Sequence, residues 1–379
     1  MKKLAVMLAL VGLLGCTSET EPKTGAPPKM AATPGKTGRE AYAAALQRGA
    51  EWLLEQQQDD GTFGGPAEVG KTSLVLAAIL DSPHAEKLKD HEGVKKAIAY
   101  IVAMVQQDGS INQPGEKGLA NYQTSASLTA LVKLGDPTHQ AIRDKAKEFL
   151  LSIQNREAYD GGSWGYNSDK RGDLSNTQFA LEALKAAGLD ENSEAFKECR
   201  KFLTRCQNLS ETSDYEHAGD DGGAMYYPGR SNAGVITLPN GKVIYKSYGS
   251  MTYALLRGYI LTGIKRDDPR VQAAQKWIVE NYTLDGNPGM EKGKEHQGLY
   301  YYYLSMAKTL PLLGTRTLEL PDGSKVDWAK ELADKLVALQ RDDGSWINEK
   351  SERWFEGNPI LATPYAMIAL SECHKALAP

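Results

Sequence analysis

Residues that could supply a catalytic proton cluster once in this 379-residue chain, in the run Glu216-His217-Ala218-Gly219-Asp220-Asp221-Gly222-Gly223. Adjacent carboxyls with an imidazole and a further carboxyl just before them are raw material for acid chemistry. Asp221 also fits a purely structural part, because Asp59-Asp60-Gly61 and Asp342-Asp343-Gly344 repeat the same form elsewhere. Glu216, His217 and Asp220 are the distinctive members of the four. Tyrosine crowds the sequence that follows: Tyr226, Tyr227, Tyr245, Tyr248, Tyr253 and the unbroken run Tyr300-Tyr301-Tyr302-Tyr303. Four consecutive side chains on a helix point in four directions, so one or two of the run face inward. Tyrosine joins apolar area to a hydroxyl tip. Tyr226, Tyr227, Tyr248, Tyr253 and Tyr301, with Glu295 and His296 beside the last, are therefore candidates for a cavity wall. Packing between helices explains the same tyrosines equally well. Glu295-His296, two adjacent side chains on one segment, do not make a metal site, and neither metal nor cofactor is expected.

The elements that must position these residues come from a repeat. Six times an amphipathic helix ends in glutamine or asparagine, runs into an Asp-Gly or Gly turn, and is followed by a more apolar helix. The glutamine or asparagine is Gln56, Gln106, Gln154, Gln207, Asn281 and Gln340; the turns follow at Asp60-Gly61, Asp108-Gly109, Gly162, Asp221-Gly222, Asp285-Gly286 and Asp343-Gly344. A repeat of about 50 to 60 residues that makes one helical hairpin each time sets the architecture. The first helices carry charge on one side and belong outside; the second, such as Phe179-Ala180-Leu181-Glu182-Ala183-Leu184, are apolar nearly all round and need cover on several sides. The fold class is all-α: a single (α/α)6 toroid of six helical hairpins around a central cavity. Small β-hairpins are expected in or after the fourth and fifth repeats, at residues 235–245 around Asn240-Gly241 and 317–326 around Asp322-Gly323. Asp-Gly supplies the positive φ that ends a helix, the aromatic after it (Phe63, Trp164, Trp346) packs over the helix end, and the glutamine satisfies backbone groups nearby. Thr363-Pro364 reads as the start of the last inner helix. Parallel inner helices gather their N-termini at one mouth, where Lys71, Lys246 and Lys294 could assist an anion.

The pattern of an aromatic or Leu, three residues, Gln, a few residues, Gly, one residue, and Trp or Phe resembles the QW repeat of the squalene–hopene cyclase and prenyltransferase β-subunit superfamily. It is complete in the first and last repeats and degraded in the second, fourth and fifth. The resemblance implies a toroid, and either terpene cyclisation or prenyl transfer. Cyclases of that family protonate their substrate with Asp-x-Asp-Asp and steady the carbocation with cavity aromatics; this chain has no such motif. The zinc-binding Asp-x-Cys of protein prenyltransferases falls on Gln297-Gly298-Leu299, which holds no normal zinc ligand.

The N-terminus has its own logic. Lys2-Lys3 precede an apolar run at residues 4–14, shorter than the about 20 residues a helical span needs. It ends in Leu13-Leu14-Gly15-Cys16, which resembles a bacterial lipobox. Residues 1–15 read as a lipoprotein signal peptide, 16–38 as a flexible tether on a lipidated Cys16, and 39–379 as the toroid. The chain is expected to be exported, monomeric and anchored through that lipid to the periplasmic face of the outer membrane or the cell surface. A net charge of −4 without a basic stripe excludes a nucleic-acid partner. Cys199 and Cys206, seven residues apart on one helix, lie about 10 Å apart along its axis, too far for a disulfide. Three functions follow: an envelope-anchored toroid whose cavity takes an apolar, isoprenoid-like ligand, a glycan lyase or binder, and a non-catalytic scaffold for another protein.

Overall fold

A computed structural model describes residues 38–378 except 66, 116, 158–159 and 168–170. The signal-peptide, tether and Cys16 expectations lie outside the described residues. The outer helices are α1 (Arg39–Glu55), α4 (Glu92–Ala103), α6 (Gln140–Ser152), α8 (Glu194–Cys206), α10 (Pro269–Glu280) and α12 (Trp328–Leu339). The inner helices are α2 (Glu68–Asp81), α5 (Ala120–Leu134), α7 (Leu174–Ala186), α9 (Gly249–Leu261), α11 (Leu299–Thr309) and α13 (Pro359–Ala376), with a single turn α3 (Ala85–Leu88) after α2. Inner helices pack in sequence, α2 on α5, then α7, α9, α11 and α13, and α13 returns to α2. The ring of inner helices is closed.

Two antiparallel ribbons complete the chain: β1 (Val235–Thr237) with β2 (Val243–Tyr245), and β3 (Thr317–Glu319) with β4 (Lys325–Asp327). Both stand where alternating residues around Asn-Gly and Asp-Gly placed them. Among the described residues no helix is long and apolar enough to cross a membrane.

The repeat residues do more than end helices. Gln154 Nε2 donates to Gly162 O of its own turn and to Ala195 O of the next outer helix, at 2.9 and 2.8 Å. Gln207 bridges Gly222 O and Arg270 O in the same way. Gln340 bridges Gly344 O and Ala45 O, so the sixth repeat is fastened to the first. In the first repeat this part falls to Gln57, which binds Gly61 O and Gly93 O, one residue later than the expected Gln56. The turn glycine lies flat against the same neighbour: a Cβ on Gly162 would stand 2.1 Å from Glu198 O, and one on Gly344 2.7 Å from Arg48 O. Trp164 and Trp346 are fully buried over their helix ends, each Nε1 donating to a carbonyl of the preceding outer helix.

One boundary differs from expectation. The last inner helix begins at Pro359 with Asn358 as its cap, and Pro364 lies inside it. Thr363 is no cap; its hydroxyl accepts the Trp346 N–H, as Thr177 accepts that of Trp164. The threonine thus fastens a turn to the inner ring. Cys199, Cys206 and Cys373 are free thiols, fully buried among apolar side chains.

Candidate functional site

The N-terminal ends of all six inner helices converge on one cavity of about 310 Å³. Lys71 comes from α2, Tyr122 from α5, Ser175, Asn176 and Phe179 from α7, Ser250 and Met251 from α9, Tyr301 from α11, and Leu361 and Tyr365 from α13. Loops at the same end add Ala67, Tyr166, Tyr226, Asn232, Tyr248, Trp354, Phe355 and Glu356. Nine of the described lining residues are aromatic.

The tyrosine tips are tied into the wall. Ser175 Oγ donates to Tyr301 Oη at 2.9 Å, and Asn232 Nδ2 to Tyr248 Oη at 3.0 Å. Tyr122 and Tyr365 hydrogen-bond each other, and Tyr226 reaches Asp173. Tyr122 stands edge-on to Phe179 with centroids 5.1 Å apart. With their hydroxyls occupied, these rings offer mainly apolar area to the cavity.

Two buried acids flank the mouth. Asp173 caps α7, accepting from Asn176 N and Asn176 Nδ2, both at 2.8 Å. Burial pushes its carboxyl up to about 6, although those donors favour the anion. Glu356 is 1% exposed and caps α11 from the loop before its neighbour α13. Its Oε1 accepts from Tyr301 N and its Oε2 from Asn348 Nδ2, both at 2.8 Å. Gly298, the residue before α11, offers no side-chain cap of its own. Burial raises Glu356 to about 7 against the amide bonds to Tyr301 and the Asn348 bond. Lys71, also buried, donates to Gly64 O.

Backbone strain gathers at the same place. Among the described residues the non-glycine positions at positive φ are Ala67 (54°), Trp354 (57°) and Phe355 (64°), and all three line the cavity. Each costs on the order of 1–3 kcal/mol.

Of the residues singled out in the sequence, Tyr226, Tyr248 and Tyr301 stand on the cavity wall. Tyr253 packs against Tyr302, and Tyr300, Tyr302 and Tyr303 donate to the carbonyls of Ile347, Thr283 and Leu284, fastening hairpins together. Tyr227 lies under the Arg171 guanidinium. The acid cluster stands apart from the cavity lining. Asp220 caps Ser210, Asp221 holds Gly223 N and Ser247 Oγ, and His217 meets Val243 O of β2 with exposed Glu216 alongside. Glu295 and His296 lie on the turn before α11, where His296 O accepts from Asn348; Lys294 is paired with exposed Glu291. The sequence reading passed over Glu356, Asp173, Phe179, Tyr122 and Tyr365. Asp173 carried a legible signal, an aspartate directly before an apolar helix; Glu356 carried none.

A profile of the prenyltransferase alpha-alpha toroid domain matches residues 38–227. The drimenyl diphosphate synthase of Streptantibioticus cattleyicolor is 23% identical over 158 residues, 39% of this chain and 28% of that protein. The squalene–hopene cyclase of Bradyrhizobium diazoefficiens is 29% identical over 185 residues, 40% of this chain and 27% of that protein. These matches therefore span little more than a quarter of either relative. Among solved structures, a type II terpene cyclase from Scytonema superposes with a TM-score of 0.52 at 12% identity, covering 90% of this chain and 100% of that one. An α-1,6-mannanase from Salegentibacter does so with a TM-score of 0.55 at 13% identity, covering 89% and 100%. At such identities the likeness is one of fold.

Proposed function

Because the chain belongs to the prenyltransferase α/α-toroid family, we propose that its cavity holds a short apolar, isoprenoid-like ligand. The observation that carries this is the wall itself, nine aromatic side chains whose hydroxyls are largely bound to one another or to the wall. Such a surface gains from burying hydrocarbon, about 25 cal/mol per Å², and leaves few free partners for the hydroxyls of a sugar chain. The cavity volume of about 310 Å³ lies at the lower end for ligand sites, which suits a few isoprene units.

The same wall supports binding more than cyclisation. Protonating an alkene needs a strong acid, and Glu356, the carboxyl on the wall, is a weak one at about 7. The mannanase neighbour supports the glycan reading less well than the wall opposes it. The inactive variant of that neighbour replaces two adjacent aspartates; the adjacent pairs here, Asp59-Asp60, Asp220-Asp221, Asp267-Asp268 and Asp342-Asp343, are absent from the cavity lining.

The purified toroid, incubated with a bacterial lipid extract and with a polysaccharide panel, is expected to retain an isoprenoid in native mass spectrometry. Retention of an oligosaccharide alone would overturn the reading, and conversion of geranylgeranyl substrates to cyclised products would replace binding with catalysis. Export and anchoring through Cys16 belong to the same proposal, since a lipid anchor would keep the mouth near a membrane source of isoprenoids. Labelled palmitate should enter the full chain and not its Cys16→Ala variant.

A further inference from the structure

The cavity has an exposed loop beside its mouth, fixed at a buried clasp. Residues 349–355 are exposed or half-exposed, with Phe355 70% and Trp354 37% open to solvent, while Asn348 and Glu356 at their base are 5% and 1% exposed. Asn348 joins the two ends: its N–H donates to Glu356 O at 3.0 Å, its Nδ2 to Glu356 Oε2, and its Oδ1 accepts from Ser351 N at 3.1 Å. Nδ2 also reaches His296 O on the turn before α11. Trp354, which lines the cavity, lies so close to Gly298 that a Cβ there would stand 3.0 Å from its ring. Consecutive aromatics with positive φ end this loop, directly before Glu356, a conformation that neither residue favours by itself. A strained, exposed segment beside a satisfied, buried base is the arrangement of a segment that opens locally while the rest stays folded.

We propose that residues 349–355 form a gate over the cavity, with Trp354 and Phe355 as its leaf and the Asn348–Glu356 clasp on the N-terminus of α11 as its latch. The gate rests on the reading of the cavity as an apolar-ligand site. Opening swings the two rings off the mouth, and the strain at Trp354 and Phe355 favours that motion; the bonds of Glu356 to Tyr301 N and Asn348 oppose it. Glu356 is in this respect a positioning residue, acting on the ligand through the loop.

Stopped-flow binding of N-phenyl-1-naphthylamine, an uncharged apolar fluorophore, separates a gate from a fixed wall. Loosening a latch raises association and dissociation rates together; removing part of a wall alters chiefly dissociation. Glu356→Gln is expected to raise both rates at least fivefold with Kd changed less than twofold; replacement of residues 349–355 by two glycines, which also removes two rings of the wall, should raise association at least fivefold and dissociation by more. An association rate unchanged in both variants, with the probe bound by the wild type, would overturn the gate and leave the cavity reading intact. Absence of probe binding in every form would overturn the cavity reading, and the gate with it. Hydrogen exchange tests the motion without any probe: amides 349–355 should exchange as a unit well ahead of α13, and the Tyr301 amide faster in Glu356→Gln. Equal protection of the loop and α13 would also overturn the proposal.

Discussion

At the mouth of the inner barrel, Asp173 and Glu356 are buried carboxyls satisfied by N–H and O–H donors at helix N-termini. At the opposite end, Glu182 is a buried carboxyl between the cations Arg257 and Lys308. Arg257 Nη1 lies 3.2 Å from Glu182 Oε2, and Lys308 donates to Glu182 Oε1. Nearby, Lys133 and Lys375 share Asp81 at 2.5 and 3.2 Å. Lys133, Lys308 and Lys375 stand in the last turns of α5, α11 and α13, where helix dipoles favour positive charge, and Arg257 lies just before the last turn of α9. The difference between the two ends separates a closure from a site. Burial works to raise Glu182, but the charges of Arg257 and Lys308 prevail and hold it at about 2, an anion under ordinary conditions. The mouth acids, lacking such partners, rise toward neutrality. The floor is settled electrostatically, while the mouth keeps its strained backbone and its cavity.

The sharpest break of this comparison is at the floor. Glu182→Ala leaves Arg257 and Lys308 buried without their anion and should cost about 3–5 kcal/mol in urea unfolding. The triple replacement Glu182→Leu, Arg257→Met, Lys308→Met should recover most of that loss. If Glu182→Ala costs less than about 1 kcal/mol, the floor is a solvated surface and the contrast with the mouth fails.

The second effect is pH dependence at the mouth. Glu356 titrates near 7 in the folded chain against an ordinary 4.5, and Asp173 near 6 against 3.8. The folded state therefore binds these protons more tightly than the unfolded state. Their stabilisation is full below the ordinary values and is lost as pH rises through 6 to 7, by about 3 kcal/mol for each group. Glu182 has the opposite sign, contributing above its ordinary 4.5 and losing that contribution as pH falls through about 2. Unfolding free energies between pH 4 and 8 should fall with pH, and Glu356→Gln should flatten the upper part of the curve. A flat wild-type curve would mean that water or a cation reaches these acids.

A third, smaller effect concerns ligand. Phe179 packs between Tyr122 and Tyr301 on the cavity wall. Phe179→Ala removes contact area worth about 1.5–3 kcal/mol, so the Kd for the apolar fluorophore should rise at least about tenfold. The floor triple variant should leave that Kd unchanged.

How much of this the sequence carried depended on whether the signal was local. Gln340 and Gly344 announced a turn because their spacing recurs, and the ribbon at residues 235–245 followed from Asn240-Gly241. The helix start at Pro359 was missed because Thr363-Pro364 imitates a cap so well; only contact with Trp346 shows what Thr363 does. Glu182, Arg257 and Lys308 were charges in apolar inner helices, a legible oddity whose partners lie 75 and 126 positions apart and needed the ring to meet. Glu356 lay in a polar stretch, Ser351-Glu352-Arg353-Trp354-Phe355-Glu356-Gly357, and its burial comes from capping a helix 55 residues earlier. No local pattern encodes that. The left-handed turn at Trp354 and Phe355 is likewise imposed by the clasp and contradicts the preference of both residues.

The smallest prediction places equal conformations at the two ends against each other. Ala67 starts α2 at the mouth with φ 54°, and Gly135 ends α5 at the floor with φ 69°. A methyl in that region costs about 1 kcal/mol, and nothing lies within 4 Å of a Cβ on Gly135, so packing does not confuse the measurement there. Ala67→Gly should therefore raise the unfolding free energy by about 1 kcal/mol and Gly135→Ala should lower it by about as much. The double variant should return to the wild-type value, since the sites are independent. If Ala67→Gly brings no gain while Gly135→Ala costs the expected amount, then Ala67 gains something from its methyl that offsets the strain. Its place on the cavity wall makes contact with bound ligand the first thing to measure, by repeating the comparison with the fluorophore present.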